Sequence, residues 1–332
     1  MYTLGIESSC DETAAAVLRG ERELLSNVVY SQIKLHRPYG GVVPEVASRD
    51  HLQKLPGVIE QSLQQAQVSL RQIELIGVTY GPGLMGCLLV GLSYAKALAY
   101  GLKKPFIGVN HLEGHLFAHY LEHPEAPPPF IALLVSGGHT ALIYVKTYGD
   151  YELLGQTRDD AAGEAFDKVG KLLGLPYPAG AEIDKLAREG NAQAVAFPRP
   201  MLASGNYQFS FSGLKTALAL YLRAHPKQEL RADVAASFQE ALIDVLVKKT
   251  LRAAQDKGVR QVVVVGGVAA NSRLRRRLLQ AGQQLEVAVS FPSPALCGDN
   301  AAMIAAAAYF NYRQGRRSEL SQTPEPALEL AG

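Results

Sequence analysis

Two stretches of the chain share one rhythm of apolar and polar positions. Residues 2–7 are a short apolar run ending in Glu7, Ser8 to Thr13 are small and polar, and Ala14 to Leu18 are apolar again. Gly20 to Glu23 then make a turn, and Leu24 to Tyr30 predict another strand. Residues 131–157 repeat this: a strand from Ile131 to Val135, a polar turn from Ser136 to Thr140, a strand from Ala141 to Val145, a turn from Tyr148 to Asp150, and a strand from Tyr151 to Gly155. Short apolar runs bounded by Gly, Ser and Asp are the signature of strands joined by turns. Thr13 and Thr140 fall at matching points, as do Glu23-Leu24-Leu25 and Glu152-Leu153-Leu154. The match predicts an internal repeat, two halves of like topology. The competing reading is that any two β-meanders look alike.

The elements around these meanders alternate between helix and strand. Residues 31–51 mix charge, Gly and Pro and predict a long surface loop that runs into a helix from Glu45 to Gln65. Ile73 to Thr79 is a buried strand, and Gly81-Pro82-Gly83 leads into an apolar helix over Met85 to Gly101. Phe106 to Val109 is a strand that delivers the segment from Asn110 to His115. A proline-rich hinge spans Pro124 to Pro129. Further helices are predicted over 159–173, 182–189, 213–223 and 230–257, with loop and short strand over 197–212. Gln261 to Val265 is a four-valine buried strand ending at Gly266-Gly267. A helix starts near Asn271, a strand spans Val287 to Phe291, and an alanine-rich helix covers 301–312. The tail after Arg316 has few large apolar groups and reads as poorly ordered.

The 332 residues are 48% hydrophobic and 19% charged, which is enough for a large core and suggests two domains. No uninterrupted run of about 18 or more apolar residues occurs, so no membrane span is expected. The N-terminus has neither the basic start nor the apolar core of a signal peptide. Three scattered cysteines make no disulfide framework, and a reducing cytoplasm is the simplest compartment. A net charge of +2 permits a nucleic-acid partner without arguing for one.

Candidate chemistry centres on Asn110 to His115. On a helix, His111 and His115 lie one turn apart on one face, within reach of one metal ion, although such pairs also occur on solvated helices. Glu113 sits roughly 200° round from His111, pointing away, so zinc-peptidase chemistry does not fit. Asp299, at the start of a helix, is either a third ligand or a helix cap. Two imidazoles and a carboxylate suit iron(II) or zinc and leave positions open for substrate. Asp11 and Glu12, in the first polar turn, can orient an attacking amine, take its proton or place water around a phosphate. Ser136-Gly137-Gly138 frees backbone N–H groups that can bind phosphate, or serves turn geometry alone. Gly266-Gly267 can let a flat group such as adenine lie over the backbone beside a helix N-terminus. Asn271 bonds a ribose hydroxyl or caps its helix. Arg273, Arg275, Arg276 and Arg277 form a solvated face or contact RNA phosphates. His119, one turn after His115, reads as exposed rather than metal-directed.

Seven motifs resemble the bacterial TsaD family, the tRNA threonylcarbamoyladenosine transferases. They are Gly5 to Thr13, His36 to Glu45, Asn110 to His115, Leu134 to Thr140, Asp159 to Lys168, Phe209 to Thr216 and Gly266 to Asn271. They occur in order between residue 2 and about residue 312. The resemblance implies an α/β fold of two duplicated RNase H-like lobes, of the actin-like, sugar-kinase and Hsp70 (ASKHA) group, with a cleft between them. The lobes implied are 1–110 plus 300–332 and 111–299. The activity implied is transfer of threonylcarbamoyl from threonylcarbamoyl-adenylate to N6 of the adenosine 3′ of the anticodon, in tRNAs reading codons that begin with A, with release of AMP.

His111, His115 and Asp299 match the family's metal ligands, expected to meet across the cleft around one Fe²⁺ per subunit, or Zn²⁺. Leu134, Val135, Ser136, Gly137, Gly138, Asp167, Gly180, Asp184 and Asn271 match adenylate-binding positions, and Asp11 matches a carboxylate thought to act in catalysis. The partners implied are tRNA, the shorter paralogue TsaB, which pairs through the N-terminal domain, and the ATPase TsaE. The turn Pro178-Ala179-Gly180-Ala181 lacks the second glycine and second proline usual in the family, which bears on contacts near Gly180. A kinase or ATPase of the same fold, and a non-catalytic nucleotide-binding scaffold, are the rival readings. The former would hold Mg²⁺ with carboxylates rather than histidines.

Overall fold

The computed structural model of the protein describes residues 1–225 and 231–330. Its strands are β1 (Tyr2–Glu7), β2 (Glu12–Arg19), β3 (Glu23–Ser31), β4 (Leu75–Gly81), β5 (Phe106–Asn110), β6 (Phe130–Val135), β7 (Thr140–Thr147), β8 (Asp150–Gln156), β9 (Gln261–Val265) and β10 (Ala288–Ser290). They form two five-stranded sheets, ordered β3-β2-β1-β4-β5 and β10-β9-β6-β7-β8. Both follow one plan: an antiparallel meander of three strands, then a fourth strand parallel to the first and a fifth parallel to the fourth. The register is Glu7↔Ala14 and Leu4↔Ile76 in one sheet, Val135↔Thr140 and Leu134↔Val265 in the other. The repeat read from the sequence is therefore a repeat of topology.

The helices are α1 (Ile33–His36), α2 (Pro44–Ala66), α3 (Met85–Leu102), α4 (His111–Glu122), α5 (Ala162–Leu172), α6 (Gly180–Ala187), α7 (Ser212–Ala224), α8 (Arg231–Asp256), α9 (Ser272–Gln284), α10 (Pro294–Cys297) and α11 (Ala301–Arg313). Residue 230, the expected first residue of α8, lies outside the described residues. The matched threonines do matching work. Thr13 Oγ1 lies 2.7 Å from Nδ1 of buried His51 on α2, and Thr140 Oγ1 accepts from the Ala162 N–H at 2.8 Å. Each ties the second strand of its meander to a helix that follows it.

The described chain divides into two compact units, one comprising Met1–Glu125 and residues 298–330, the other within Ala126–Cys297. The expected boundaries at 110/111 and 299/300 move because α4 packs on α11. The Phe117 and Phe310 rings stand 5.3 Å apart, and Asn311 Nδ2 donates to buried Glu113 at 3.0 Å. Consequently His111, His115 and Asp299 all belong to the first unit and do not meet across two lobes.

Within the first unit α11 is the central element, buried from Ala301 through Ala308. It lies almost backbone to backbone on its sheet. A Cβ at Gly5 of β1 would stand 2.2 Å from the Ala301 carbonyl oxygen and 2.8 Å from the Ala305 nitrogen. One at Gly77 of β4 would stand 2.4 Å from Ala308 Cβ. Alanines on one side and glycines on the other let the helix approach this closely, and the close contact gains dispersion energy at each atom pair.

Two expectations need correction. The segment 31–51 is not one loop: it holds α1, a 3-10 turn at Arg37–Tyr39 and the start of α2, whose Pro44 fits a first helical turn because no N–H is needed there. The tail is not loose through residue 330. Gly108 N donates to Ser318 Oγ (2.9 Å), Lys96 Nζ to Gln322 O (2.9 Å), Glu325 N to Tyr80 O (2.8 Å) and Asn110 Nδ2 to Glu329 O (2.9 Å). Two of these bonds give backbone groups of β4 and β5, Tyr80 O and Gly108 N, their partners, a role that composition does not reveal. By length and composition α3 alone among the described helices could cross a membrane, although it holds no uninterrupted apolar run of 18 residues. Its Cys87, Leu88, Gly91, Leu92, Ala95 and Ala99 face is buried in the first unit.

The packing of α11 predicts the behaviour of Gly5→Ala. The added methyl meets backbone atoms, which cannot turn aside, so stability should drop by about 1–3 kcal/mol or more, as overpacking does. Denaturant midpoints check this; an unchanged midpoint would show that α11 has room that the geometry denies.

Candidate functional site

The metal-ligand candidates are set by two helix starts. Asn110 caps α4, its Oδ1 accepting from Leu112 N (2.8 Å) and Glu113 N (3.3 Å), so the first helical residue is His111 and the second ligand follows one turn later at His115. Asn300 caps α11 in the same way, accepting from Met303 N at 3.1 Å, which leaves Asp299 just outside that helix. Between the histidines, Gly114 faces α11: a Cβ there would stand 2.7 Å from Ile304 Cδ1. The missing side chain lets α4 approach the start of α11 and brings Asp299 to the imidazoles.

Asp299 Oδ1 lies 3.5 Å from His111 Nε2 and 3.3 Å from His115 Nε2. One ligand atom from each residue falls within 4.8 Å of the others. His115 is fully buried, yet neither ring nitrogen has a hydrogen-bond partner among the described residues. A buried polar atom left in that condition costs about 1–3 kcal/mol. These residues fit a metal: a fully buried imidazole lacking hydrogen bonds and a carboxylate converge with a second imidazole on one point. The cap position that Asp299 was an alternative candidate for is filled by Asn300.

The electrostatics agree. Burial lowers the affinity of His111 for a proton, but Asp299 and Glu7 outweigh it and push its pKa up to about 9. Glu12 is held well above the ordinary carboxylate range by burial, and then by the charges of Asp11 and Asp299. Asp11 itself is half-buried, and its carbonyl accepts from Gln32 N at 3.0 Å. Negative charge is thus concentrated around two imidazoles, an arrangement that favours a cation.

Glu7 carried no role in the sequence reading beyond ending a strand. It is fully buried: Oε2 lies 3.0 Å from His111 Nδ1 and accepts from Thr79 Oγ1 at 2.6 Å, while Oε1 accepts from Ser9 N at 2.6 Å. Its signal was available, since a glutamate in an otherwise buried strand needs partners. Glu113, by contrast, is bonded to Asn311, consistent with its expected direction away from a metal.

His119 is buried rather than exposed, and its ring stacks on His123 at 4.7 Å. Burial and then the nearby His123 push its pKa down to about 3, with Arg22 adding and Glu125 opposing.

The nucleotide-binding candidates lie in the second unit. Leu134 and Val135 are fully buried, so only their main chain is offered at the turn, whereas Gly137 and Gly138 are exposed with open space where a Cβ would stand. The Ser136 carbonyl accepts from Gly163 N at 3.1 Å, seating the turn on the start of α5. Gly266 has φ +93°, and a Cβ there would meet the Val135 carbonyl oxygen at 2.4 Å. Gly267 beside it is exposed and open. Asp167 accepts from Ala179 N at 2.7 Å, immediately before Gly180 at the start of α6. Asp184 accepts from Ser272 Oγ (2.9 Å), Ser272 N (3.3 Å) and Arg188 (3.1 Å). Asn271 caps α9 through Leu274 N (2.9 Å) and donates to Gln239 (2.8 Å), so the capping alternative is realised.

The arginine cluster is engaged internally. Arg273 bonds Glu240 at 2.7 Å, and Arg277 bonds Glu240 and, at 2.6 Å, Asp244. Arg275 donates to the carbonyls of Ala269 (2.7 Å) and Pro292 (3.0 Å). Arg276 alone of the four is exposed, so the reading of a four-arginine contact with RNA does not stand.

Comparison with known proteins places these features in context. A family model described as TsaD, tRNA N6-adenosine threonylcarbamoyltransferase, matches residues 23–306. A protein of that name from Clostridium beijerinckii is 54% identical over 330 residues, covering 98% of this chain and 97% of its own length. One from Clostridioides difficile is 52% identical over 333 residues, covering 99% and 98%. Among solved structures, HypF from T. kodakarensis superposes with a TM-score of 0.65 at 15% identity, over 95% of this chain and 48% of that one. Component A of the Acidaminococcus fermentans (R)-2-hydroxyglutaryl-CoA dehydratase does so at 0.58 and 16%, over 94% and 99%. At such identities the likeness concerns fold alone. With the doubled sheet topology, it bears out the α/β ASKHA-type fold.

The low pKa of His119 predicts an acid-sensitive fold. Between its folded value of about 3 and the unfolded value near 6.5, the unfolded chain binds the extra proton, so stability falls as pH drops through that window. By pH 4 the loss from this group should be about 3 kcal/mol. His119→Phe, which keeps a ring in place, should remove that share of the acid dependence in denaturant midpoints measured from pH 7 to pH 4; an identical acid limb would disprove it.

Proposed function

The chain belongs to the tRNA N6-adenosine threonylcarbamoyltransferase family, and we propose that it carries the threonylcarbamoyl group from threonylcarbamoyl-adenylate to N6 of the adenosine 3′ of the anticodon, in tRNAs reading codons that begin with A. The observation that carries the reading is the convergence of His111, His115 and Asp299 within 4.8 Å, in a chain of this family. Such chemistry belongs where tRNA is, in the cytoplasm.

The donor is a mixed anhydride and needs no further activation. N6 attacks the carbonyl carbon, the bond from that carbon to the phosphate oxygen breaks, AMP leaves with the electron pair, and N6 gives up a proton. Asp11, half-buried on the turn after β1, holds the amine and takes that proton in this reading. His111, His115 and Asp299 would hold a divalent ion, which would supply Lewis-acid polarisation of a carbonyl or phosphate oxygen. The donor set suits iron(II), one per subunit, with zinc the alternative.

In the second unit, the exposed N–H groups of Gly137 and Gly138 fit phosphate oxygens, and the open backbone at Gly267 fits the face of adenine. Asp184 and Asn271 already serve α9, yet a carboxylate and an amide oxygen each retain acceptor capacity for ribose hydroxyls. Asp167 and Gly180 complete the adenylate set through the start of α6.

The partners in this reading are TsaB and TsaE. TsaB takes the apolar face that α2 and α3 leave in solvent. Ser48 of α2 touches Gly86 of α3, and within a turn of that contact Leu52 (67% exposed), Met85 (54%) and Leu89 (52%) lie open. Large exposed apolar groups clustered on adjoining helices mark a protein interface. Leu52→Glu with Leu89→Glu should abolish co-elution with TsaB in size exclusion; retained co-elution would move the interface elsewhere.

Incubation of the metal-loaded protein with tRNA, threonylcarbamoyl-adenylate and the partner proteins, followed by nucleoside analysis, tests the activity. Unmodified adenosine under those conditions would overturn it. Asp11→Ala should cut transfer by about 10²–10⁴-fold, the usual yield of a positioned base, while adenylate binding persists. Full transfer by that variant would remove the role given to Asp11.

A further inference from the structure

His111 is oriented by more than its place on α4. Its Nδ1 faces Glu7 Oε2 at 3.0 Å and Ser9 Oγ at 3.2 Å, while Nε2 faces Asp299 Oδ1 at 3.5 Å. Glu7 is itself fixed on both oxygens, by Ser9 N (2.6 Å) and Thr79 Oγ1 (2.6 Å). These contacts join β1, the turn after it, β4 and α4 around one fully buried carboxylate. Burying a carboxylate is expensive unless donors surround it, and here one of the donors is a candidate metal ligand.

We propose that Glu7 is the positioning residue for the metal centre: by accepting the Nδ1–H of His111, it fixes the ring and leaves Nε2 as the ligand atom aimed at the ion shared with His115 and Asp299. A ligating histidine whose other nitrogen donates to a carboxylate is held in one tautomer and made a stronger donor. Among the described residues, none makes such a hydrogen bond to His115. The two histidines are therefore unequal, with His111 the preset ligand and His115 the one that takes its aim from the ion. The inference rests on the metal reading above.

Glu7→Gln probes this at constant size. The amide must turn its NH₂ either toward Ser9 N–H or toward His111 Nδ1–H, and both are donors. The second choice forces His111 into the tautomer whose Nε2 carries the proton and cannot ligate. Glu7→Asp keeps the charge with one methylene less. Zn²⁺ titration under chelator competition, on the full chain, compares wild type, Glu7→Gln, Glu7→Asp and His115→Ala. Zinc affinity should fall about 10–100-fold in Glu7→Gln and recover in part in Glu7→Asp, with the metal-free Tm values of the variants checked alongside.

A second measurement needs no Glu7 variant. In ¹⁵N-histidine spectra of the zinc-loaded wild type, with His111 assigned by substitution, its Nδ1 should carry the proton and its Nε2 the metal. The reverse pattern overturns the proposal even if Glu7 variants fail to fold. Wild type that binds zinc through His115 while Glu7→Gln binds equally tightly overturns the role of Glu7 alone. Wild type whose zinc affinity is indifferent to His115→Ala overturns the metal reading, and this inference with it.

Discussion

The first unit depends on α11 lying directly on its sheet. Ala301 and Ala305 of the helix contact Gly5 of β1, and Ala308 contacts Gly77 of β4, at separations that leave no room for one added carbon. Such packing fixes the helix along its axis as well as in height, because the contact is between backbones and not between adaptable side chains. Asp299 precedes this helix by one capped residue, so the placement of α11 is also the placement of the carboxylate. A third close approach, Gly114 of α4 against Ile304, brings the histidines to it. The candidate centre is thus a product of helix packing, with three ligands on two helix starts and a glycine at each surface that must come close.

That origin explains what could be read from the sequence and what could not. The histidine pair is legible because helical spacing is local: Asn110 caps, and His111 and His115 must share a face. The paired meanders are legible because alternation and turns are local as well. Asp299 could be named a candidate from its residue type, but whether it or Asn300 capped α11 depended on one residue of register. The unit boundary was misplaced because the sequence does not show that Phe117 meets Phe310 or that Glu113 meets Asn311. The tail looked loose because its anchors, Ser318 Oγ apart, are backbone groups, which composition does not report. Arg273 and Arg277 of α9 looked available because their partners, Glu240 and Asp244, come from α8. His119 looked exposed although every side of α4 but one is covered.

The duplicated topology has been put to two uses. In each unit a first strand ends, a small polar turn follows, and a second strand carries at or next to its start a buried threonine that binds a later helix. In the first unit the strand ends in Glu7, whose carboxylate reaches a histidine, and the turn carries Asp11. In the second it ends in Val135, whose side chain is in the core and whose carbonyl lies against Gly266, and the turn carries Gly137 and Gly138. Charge therefore gathers at the first strand end and open backbone at the second.

This division suits a group-transfer reaction on an activated donor. Polarising a carbonyl and accepting a proton call for a cation and carboxylates held against their mutual repulsion, which buried donors such as Ser9 N and Thr79 Oγ1 do for Glu7. Holding a nucleotide calls for N–H groups and flat, unobstructed backbone, which glycine provides and any larger residue would block. The two demands conflict within a single turn: a carboxylate placed among exposed N–H groups would repel any phosphate bound there. Duplication of one sheet separates them, because each copy of the turn can specialise while strand order and register stay the same.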